Sequence, residues 1–258
     1  MPVEFVEIAA ERLELLRIAP ERSSPPLVFL HEGLGSVAGW RDFPRAVCDR
    51  LAAPGLVYSR RGYGRSTPLE EPRGTGYLHR EAWVVLPALL LELGIDAPLL
   101  VGHSDGGSIA LLYAARHRPR AIAIMAPHVF VEDVTIDGIR AAREAWAQGK
   151  LRAPLARVHE DPDGAFFGWN DGWLDPAFRH WNIEAELPKI RCPVLAIQGF
   201  DDEYGTMQQL DRIAGGVTAP CRLLKLAECG HSPQRDQPQQ VIHAIAALYR
   251  EATTAAAR

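Results

Sequence analysis

The chain has no long apolar run, no excess of charge of one sign, and only four cysteines in 258 residues. Each absence excludes something. The apolar run 84–91 contains Pro87 and falls far short of the roughly 20 residues that a membrane-spanning helix needs. The 28 basic and 32 acidic residues leave a net charge of −4. That balance leaves no footprint for nucleic acid or for an anionic membrane surface. Cys48, Cys192, Cys221 and Cys229 form no CxxC pair and no regular framework. They read as reduced, mostly buried thiols, and no Cys or His pair stands at zinc-ligand spacing. Repeats and low-complexity tracts are missing too. The first residues, MPVEFVEIAAERLE, have no basic stretch ahead of an apolar one, so the expectation is a cytoplasmic protein without a signal peptide. The tail EATTAAAR is expected to fray.

What is present is ordinary globular material. Apolar residues make up 47% and charged residues 23% of the chain, enough to build a sizeable core. Short apolar runs at 27–30, 56–59, 99–101, 121–126, 194–197 and 222–226 are bounded by Gly and Pro. Such runs read as strands buried on both faces. Residues 3–18 could add one or two edge strands. Helical patterns fill the gaps, at 77–93 with an expected kink at Pro87, at 104–118, and at 237–252. The alternation predicts an α/β protein with a mostly parallel central sheet flanked by helices. Between 129 and 187 the alternation stops. That stretch is helical, especially at 136–148, and holds Phe166, Phe167, Trp169, Trp173, Phe178 and Trp181. It reads as a helical cap inserted into a core formed by residues 1–128 and 188–258.

One pattern carries chemistry. Gly102-His103-Ser104-Asp105-Gly106 fits G-x-S-x-G, with a buried strand before it and a helix after. A sharp strand-to-helix turn leaves the serine at its tip, beside the free N–H groups of a helix N-terminus. A serine is a weak nucleophile and needs a base, and the base needs an orienting acid. Asp201 and Asp202 follow the 194–197 run, and His231 follows the 222–226 run. Ser, acid and His therefore come in that order, each after a strand.

On FLHEGLGS, SRRGYGRS, GHSDGG, IQGFDDE and CGHSP, in that order, the chain resembles the α/β-hydrolase family, specifically its capped esterase-like members. The resemblance covers nearly the whole chain. It implies Ser104 as nucleophile, His231 as base and Asp202 as acid, with Asp201 as the less favoured choice. It implies an oxyanion hole from the backbone N–H groups of Asp105 and Gly33, and no cofactor or metal. The expected activity is hydrolysis of a small carboxylic ester or related acyl bond through an acyl-enzyme. An acyl-CoA thioesterase, a carbon–carbon bond hydrolase and a triad-bearing binding protein with little turnover stay open. A thioesterase would need basic residues at the pocket mouth, for which Arg61, Arg65, Arg140 and Arg143 are the candidates.

The departure from the family's pattern is Glu32, where His-Gly is usual. It either turns into a structural hydrogen bond or holds a water or a substrate group. His128, Trp169 and Trp173 are the other candidate substrate contacts, each with a purely structural alternative. The substrate would be a small molecule with an apolar or aromatic acyl group. His103 reads as packing, His31 as a loop anchor and Cys229 as inert.

Overall fold

The computed structural model describes residues 3–8 and 10–255; residues 256–258 of the Ala-rich tail lie outside them. The chain opens with a hairpin of β1 (Glu4–Ile8) and β2 (Glu11–Ile18), followed by β3 (Leu27–Leu30), α1 (Phe43–Leu51) and β4 (Gly55–Tyr58). A helical stretch comes next, α2 (Tyr77–Arg80) and α3 (Leu86–Glu92), then β5 (Leu99–His103), α4 (Asp105–Arg116) and β6 (Ala121–Met125). Three helices, α5 (Asp133–Ala147), α6 (Arg152–Leu155) and α7 (Pro162–Leu174), precede β7 (Val194–Gly199). The chain closes with α8 (Gln208–Gly216), β8 (Cys221–Leu226), α9 (Pro233–Asp236) and α10 (Pro238–Ala255).

The strands form one eight-stranded sheet in the order β1-β2-β4-β3-β5-β6-β7-β8. Six strands run parallel, and β1 and β2 are antiparallel at one edge. Both faces of the central strands are covered, so each strand feeds two cores by simple alternation. Val28 and Leu30 face one core with Leu100, Ile122 and Ile124. Leu27 and Phe29 face the other with Val101, Ala123 and the apolar stripe Val241, Ile245 and Leu248 of α10. β8 departs from the expectation of a doubly buried strand: Arg222, Leu223 and Lys225 are exposed. It is the edge strand, with a sheet neighbour on one side only.

Pro87 acts through a change of helix type. Residues Glu81–Val85 form a π-helical turn directly before it. Proline has no N–H to give the carbonyl four residues back, and its ring crowds that carbonyl. The wider turn takes up the misfit.

Between β6 and β7 the sheet rhythm is interrupted by α5, α6, α7 and two short 3₁₀ segments, with only an isolated bridge between Phe130 and Asn182. The aromatic cluster of this stretch turns inward. Phe166, Trp169, Trp173, Phe178 and Trp181 are buried, while Phe167 is partly open. Phe178 and Trp181 stack with ring centroids 5.5 Å apart. No helix of the described residues is long and apolar enough to cross a membrane.

Strand order reverses between β3 and β5, which are neighbours although not consecutive. In open α/β sheets the crevice beyond the carboxyl ends at such a point is where ligands bind. The loop after β3 and the turn after β5 meet there. Gly106 makes that meeting possible, because a Cβ on it would collide with the backbone carbonyl of Leu30. Gly106→Ala should therefore force α4 away from β3 and lower stability by roughly 1–3 kcal/mol. Urea unfolding measures this; an unchanged midpoint would mean that the approach is not tight.

Candidate active site

Ser104 ends β5 and precedes α4 with φ 51° and ψ −116°. A non-glycine residue in this region stores strain of about 1–3 kcal/mol and persists only where its surroundings impose it. They do so here. The Ser104 N–H donates to the Met125 carbonyl at 2.9 Å, and its own carbonyl accepts from Gly107 at 2.8 Å and Ser108 at 3.0 Å. The turn thrusts the hydroxyl outward, as a strand-to-helix elbow requires.

The hydroxyl meets its expected partners. Ser104 Oγ lies 2.9 Å from His231 Nε2. His231 Nδ1 lies 2.8 Å from Asp202 Oδ1. Asp202 also accepts from the Tyr204 backbone N–H at 2.9 Å and from Gln198 Nε2 at 3.2 Å. Burial works against its charge, but the hydrogen bond and charge of His231 outweigh burial and hold its carboxyl below the ordinary value. Asp201, the alternative acid, is exposed, although its backbone N–H ties the loop to the Cys229 carbonyl at 3.0 Å. A serine hydroxyl bonded to an imidazole backed by a carboxylate can give up its proton as it attacks a carbonyl.

Of the two expected oxyanion donors, Asp105 follows Ser104 in the chain and Gly33 lines the same cavity. Asp105 is the first residue of α4, so its N–H is among those left without an intrahelical acceptor. The Gly33 N–H is fixed through its peptide partner, the Glu32 carbonyl. That oxygen accepts from His31 Nδ1 at 2.6 Å, Arg60 Nη2 at 3.0 Å and the Gly35 N–H at 3.2 Å. The C=O and N–H of a trans peptide point in opposite directions. Holding the carbonyl inward therefore turns the Gly33 N–H outward. His31 Nε2 accepts the Arg60 backbone N–H at 3.0 Å, which places its proton on Nδ1. Burial, with the Arg60 charge, keeps this imidazole neutral by lowering its pKa well below the usual value.

Arg60 is the residue that the sequence pattern did not single out; Arg61 and Arg65 drew attention instead. Its guanidinium is 1% exposed, donates to the His31 carbonyl and stands 3.5 Å from the equally buried Asp105 carboxylate. Asp105 also accepts from Tyr77 Oη at 2.8 Å and Trp173 Nε1 at 3.3 Å. The Asp105 side chain is thus spent on structure. Arg61 pairs with Glu11 and Glu70, Arg140 with Asp137, and Arg143 with Asn170 and Asp171. None of these, nor Arg65, lines the cavity at Ser104.

That cavity measures about 100 Å³. Glu32, Gly33, His128, Trp169 and Trp173, all expected at the site, line it with Ser104 and His231. Trp169 lies so close over Gly33 that a Cβ there would strike its indole. Tyr204, Thr135, Ile139 and Leu34 complete the wall and were not foreseen. Tyr204 carries a usable signal, since it stands two residues after the acid; Thr135 and Ile139 are one helical turn apart on α5 and carry none. The Glu32 carboxylate stands 3.4 Å from His103 Nδ1 and 3.7 Å from Arg235. Burial pushes its carboxyl up, but contact with His103 outweighs that and holds it well below the usual range. His103 does more than pack: its Nε2 donates to the His231 carbonyl at 2.7 Å, and Gln234 lies 3.0 Å from its Nδ1.

The sequence model of the Alpha/beta hydrolase family matches residues 27–244. A non-heme chloroperoxidase of Kitasatospora aureofaciens is 28% identical over 74% of this chain, which spans 63% of that protein's length. A 2-hydroxymuconate semialdehyde hydrolase of Pseudomonas sp. strain CF600 is 25% identical, covering 90% of this chain and 89% of its own. Among solved structures, the proline iminopeptidase of Mycobacterium smegmatis superposes with a TM-score of 0.78 at 19% identity, covering 99% of this chain and 100% of that one. At that identity the likeness is one of fold.

The buried Arg60–Asp105 pair generates a test. Asp105→Asn leaves the guanidinium without its counter-charge, and breaking a buried pair in this way costs about 3–5 kcal/mol. The expected result is a clear drop in the midpoint of urea unfolding. A midpoint equal to that of the unaltered protein would show that Tyr77 and Trp173 hold the turn without the charge.

Proposed function

This chain belongs to the alpha/beta hydrolase family, and on that premise we propose that it is a serine hydrolase acting on a small carboxylic ester or related acyl bond. The observation that carries the reading is the unbroken relay from Ser104 Oγ to His231 at 2.9 Å and on to Asp202 at 2.8 Å. His231 Nε2 takes the hydroxyl proton while Oγ bonds to the substrate carbonyl carbon. Negative charge then develops on the carbonyl oxygen, between the N–H groups of Gly33 and Asp105. Collapse of the tetrahedral intermediate breaks the bond to the leaving group, which takes the proton from His231. Water, deprotonated by the same imidazole, attacks the acyl-serine and releases the acid. Asp202 keeps the imidazole in the required tautomer and balances its transient charge.

The cavity of about 100 Å³ is smaller than the roughly 150 Å³ that holds a benzene ring. This favours a compact acyl group over an aromatic one. A carbon–carbon bond hydrolase is the second reading, favoured by the semialdehyde hydrolase that matches along nearly all of both chains. Of the basic residues a thioesterase would present to coenzyme A phosphates, Arg61, Arg140 and Arg143 are paired with other side chains, and neither they nor Arg65 lines the cavity.

Ser104→Ala should abolish hydrolysis of short-chain aryl esters without changing thermal unfolding. Asp202→Asn should lower kcat by as much as about 10⁴-fold, because the amide supports the wrong imidazole tautomer. Retained turnover in Ser104→Ala would overturn the assignment. Turnover of a vinylogous diketone together with none of any ester would favour the second reading.

A further inference from the structure

His128 follows β6 with its backbone locked. Its carbonyl accepts from Ser108 Oγ at 2.6 Å, its N–H donates to the same oxygen at 3.1 Å, and the next N–H donates to Gln209 Oε1 at 2.8 Å. The residue is 2% exposed and lines the cavity at Ser104. Its ring stands edge-on to Trp173 at 5.1 Å between centroids and 5.8 Å from the His231 ring. Yet the imidazole has no hydrogen bond among the described residues. Nδ1 is enclosed by protein with no partner, and Nε2 is the nitrogen left to the cavity.

A neutral imidazole carries one N–H and one lone pair. An orphaned N–H inside protein is costlier and rarer than an orphaned acceptor. The lone pair therefore belongs on walled-in Nδ1, and the proton on Nε2. Burial, helped by the neighbouring His231, pushes the pKa of His128 down to about 3. The group is thus neutral through the working range, a fixed dipole and not a cation. The cavity wall contains no Lys or Arg among the described residues, and Glu32 is one of its residues.

We propose that His128 is a specificity-determining residue whose Nε2–H binds an uncharged oxygen carried by the substrate close to its scissile carbonyl. The preferred substrate is then a compact alkoxy-, hydroxy- or keto-acyl ester or lactone. A carboxylate in the same place would meet a wall that includes Glu32 and presents no Lys or Arg. A purely apolar acyl group would leave the imidazole unsatisfied. This inference rests on the serine-hydrolase reading.

The test uses three aryl esters of the full chain's proposed substrate class, 4-nitrophenyl methoxyacetate, butyrate and hydrogen succinate. The first two differ only by an oxygen in place of a methylene. Comparing their ratio of kcat/KM between the unaltered protein and a variant cancels their intrinsic reactivity. In His128→Phe the methoxyacetate-to-butyrate ratio should fall by roughly 3- to 10-fold, the range that one net hydrogen bond is worth. His128→Leu should match it, and serves if the phenyl ring prevents folding. His128→Gln can present an amide N–H near the place of Nε2 and should recover part of the ratio. The succinate ester should be the slowest of the three. An unchanged ratio, or an equal fall on both neutral esters, would overturn the proposal and leave His128 as structure; a fast succinate ester would overturn its charge preference. Ser104→Ala run beside these separates the two readings. Turnover that survives in it, or none of either neutral ester in the unaltered protein, sinks the serine-hydrolase reading and this one with it.

Discussion

The site's geometry depends on one buried guanidinium. Arg60 donates to the carbonyls of His31 and Glu32 and stands against the Asp105 carboxylate. The Glu32–Gly33 peptide and the side chain at the start of α4 are therefore tied to the same cation. A guanidinium suits the task because its donors lie in a rigid planar fork. A charge so deeply buried needs full compensation. Asp105 supplies the counter-charge, although Arg60 Nε has no hydrogen-bond partner among the described residues, and Tyr77 and Trp173 complete the carboxylate's hydrogen bonds.

That arrangement links the two layers of the molecule. Trp173 belongs to α7, within the stretch between β6 and β7, yet it reaches the residue after Ser104. Trp169 of the same helix covers Gly33. His128, His231 and Tyr204 close the remaining sides. The inserted helices thus set the volume of the cavity and also brace the turn that carries the serine. A change in α7 would be felt both as altered access and as altered support.

Much of the core was legible along the chain because its signals are local. Doubly buried strands announce themselves as apolar runs, and G-x-S-x-G flanked by a strand and a helix has a mechanical reason at each glycine. β8 differs from the expectation because an edge position is a property of the sheet, although Arg222 and Lys225 within the run are the kind of residue an edge strand carries. The π-helical turn before Pro87 went unforeseen in kind, although a disruption there was expected. Arg60 was overlooked beside Arg61 and Arg65 for a similar reason. Three arginines in one loop look alike until burial distinguishes the one that is 1% exposed.

By itself, the sequence determined the alternation of strands and helices, the helical stretch between β6 and β7, and the order in which Ser104, Asp202 and His231 follow their strands, because each is written in neighbouring residues. It narrowed the acid to two adjacent aspartates. Only the tertiary structure put Asp202, and not exposed Asp201, against His231, since adjacent side chains point in different directions and His231 comes from another strand's end. Only it set Glu32 against His103, left His128 without a partner, and tied Arg60 to the Glu32–Gly33 peptide and the Asp105 side chain. These are contacts between segments 28 to 71 residues apart, and their energies depend on burial, which no local pattern specifies.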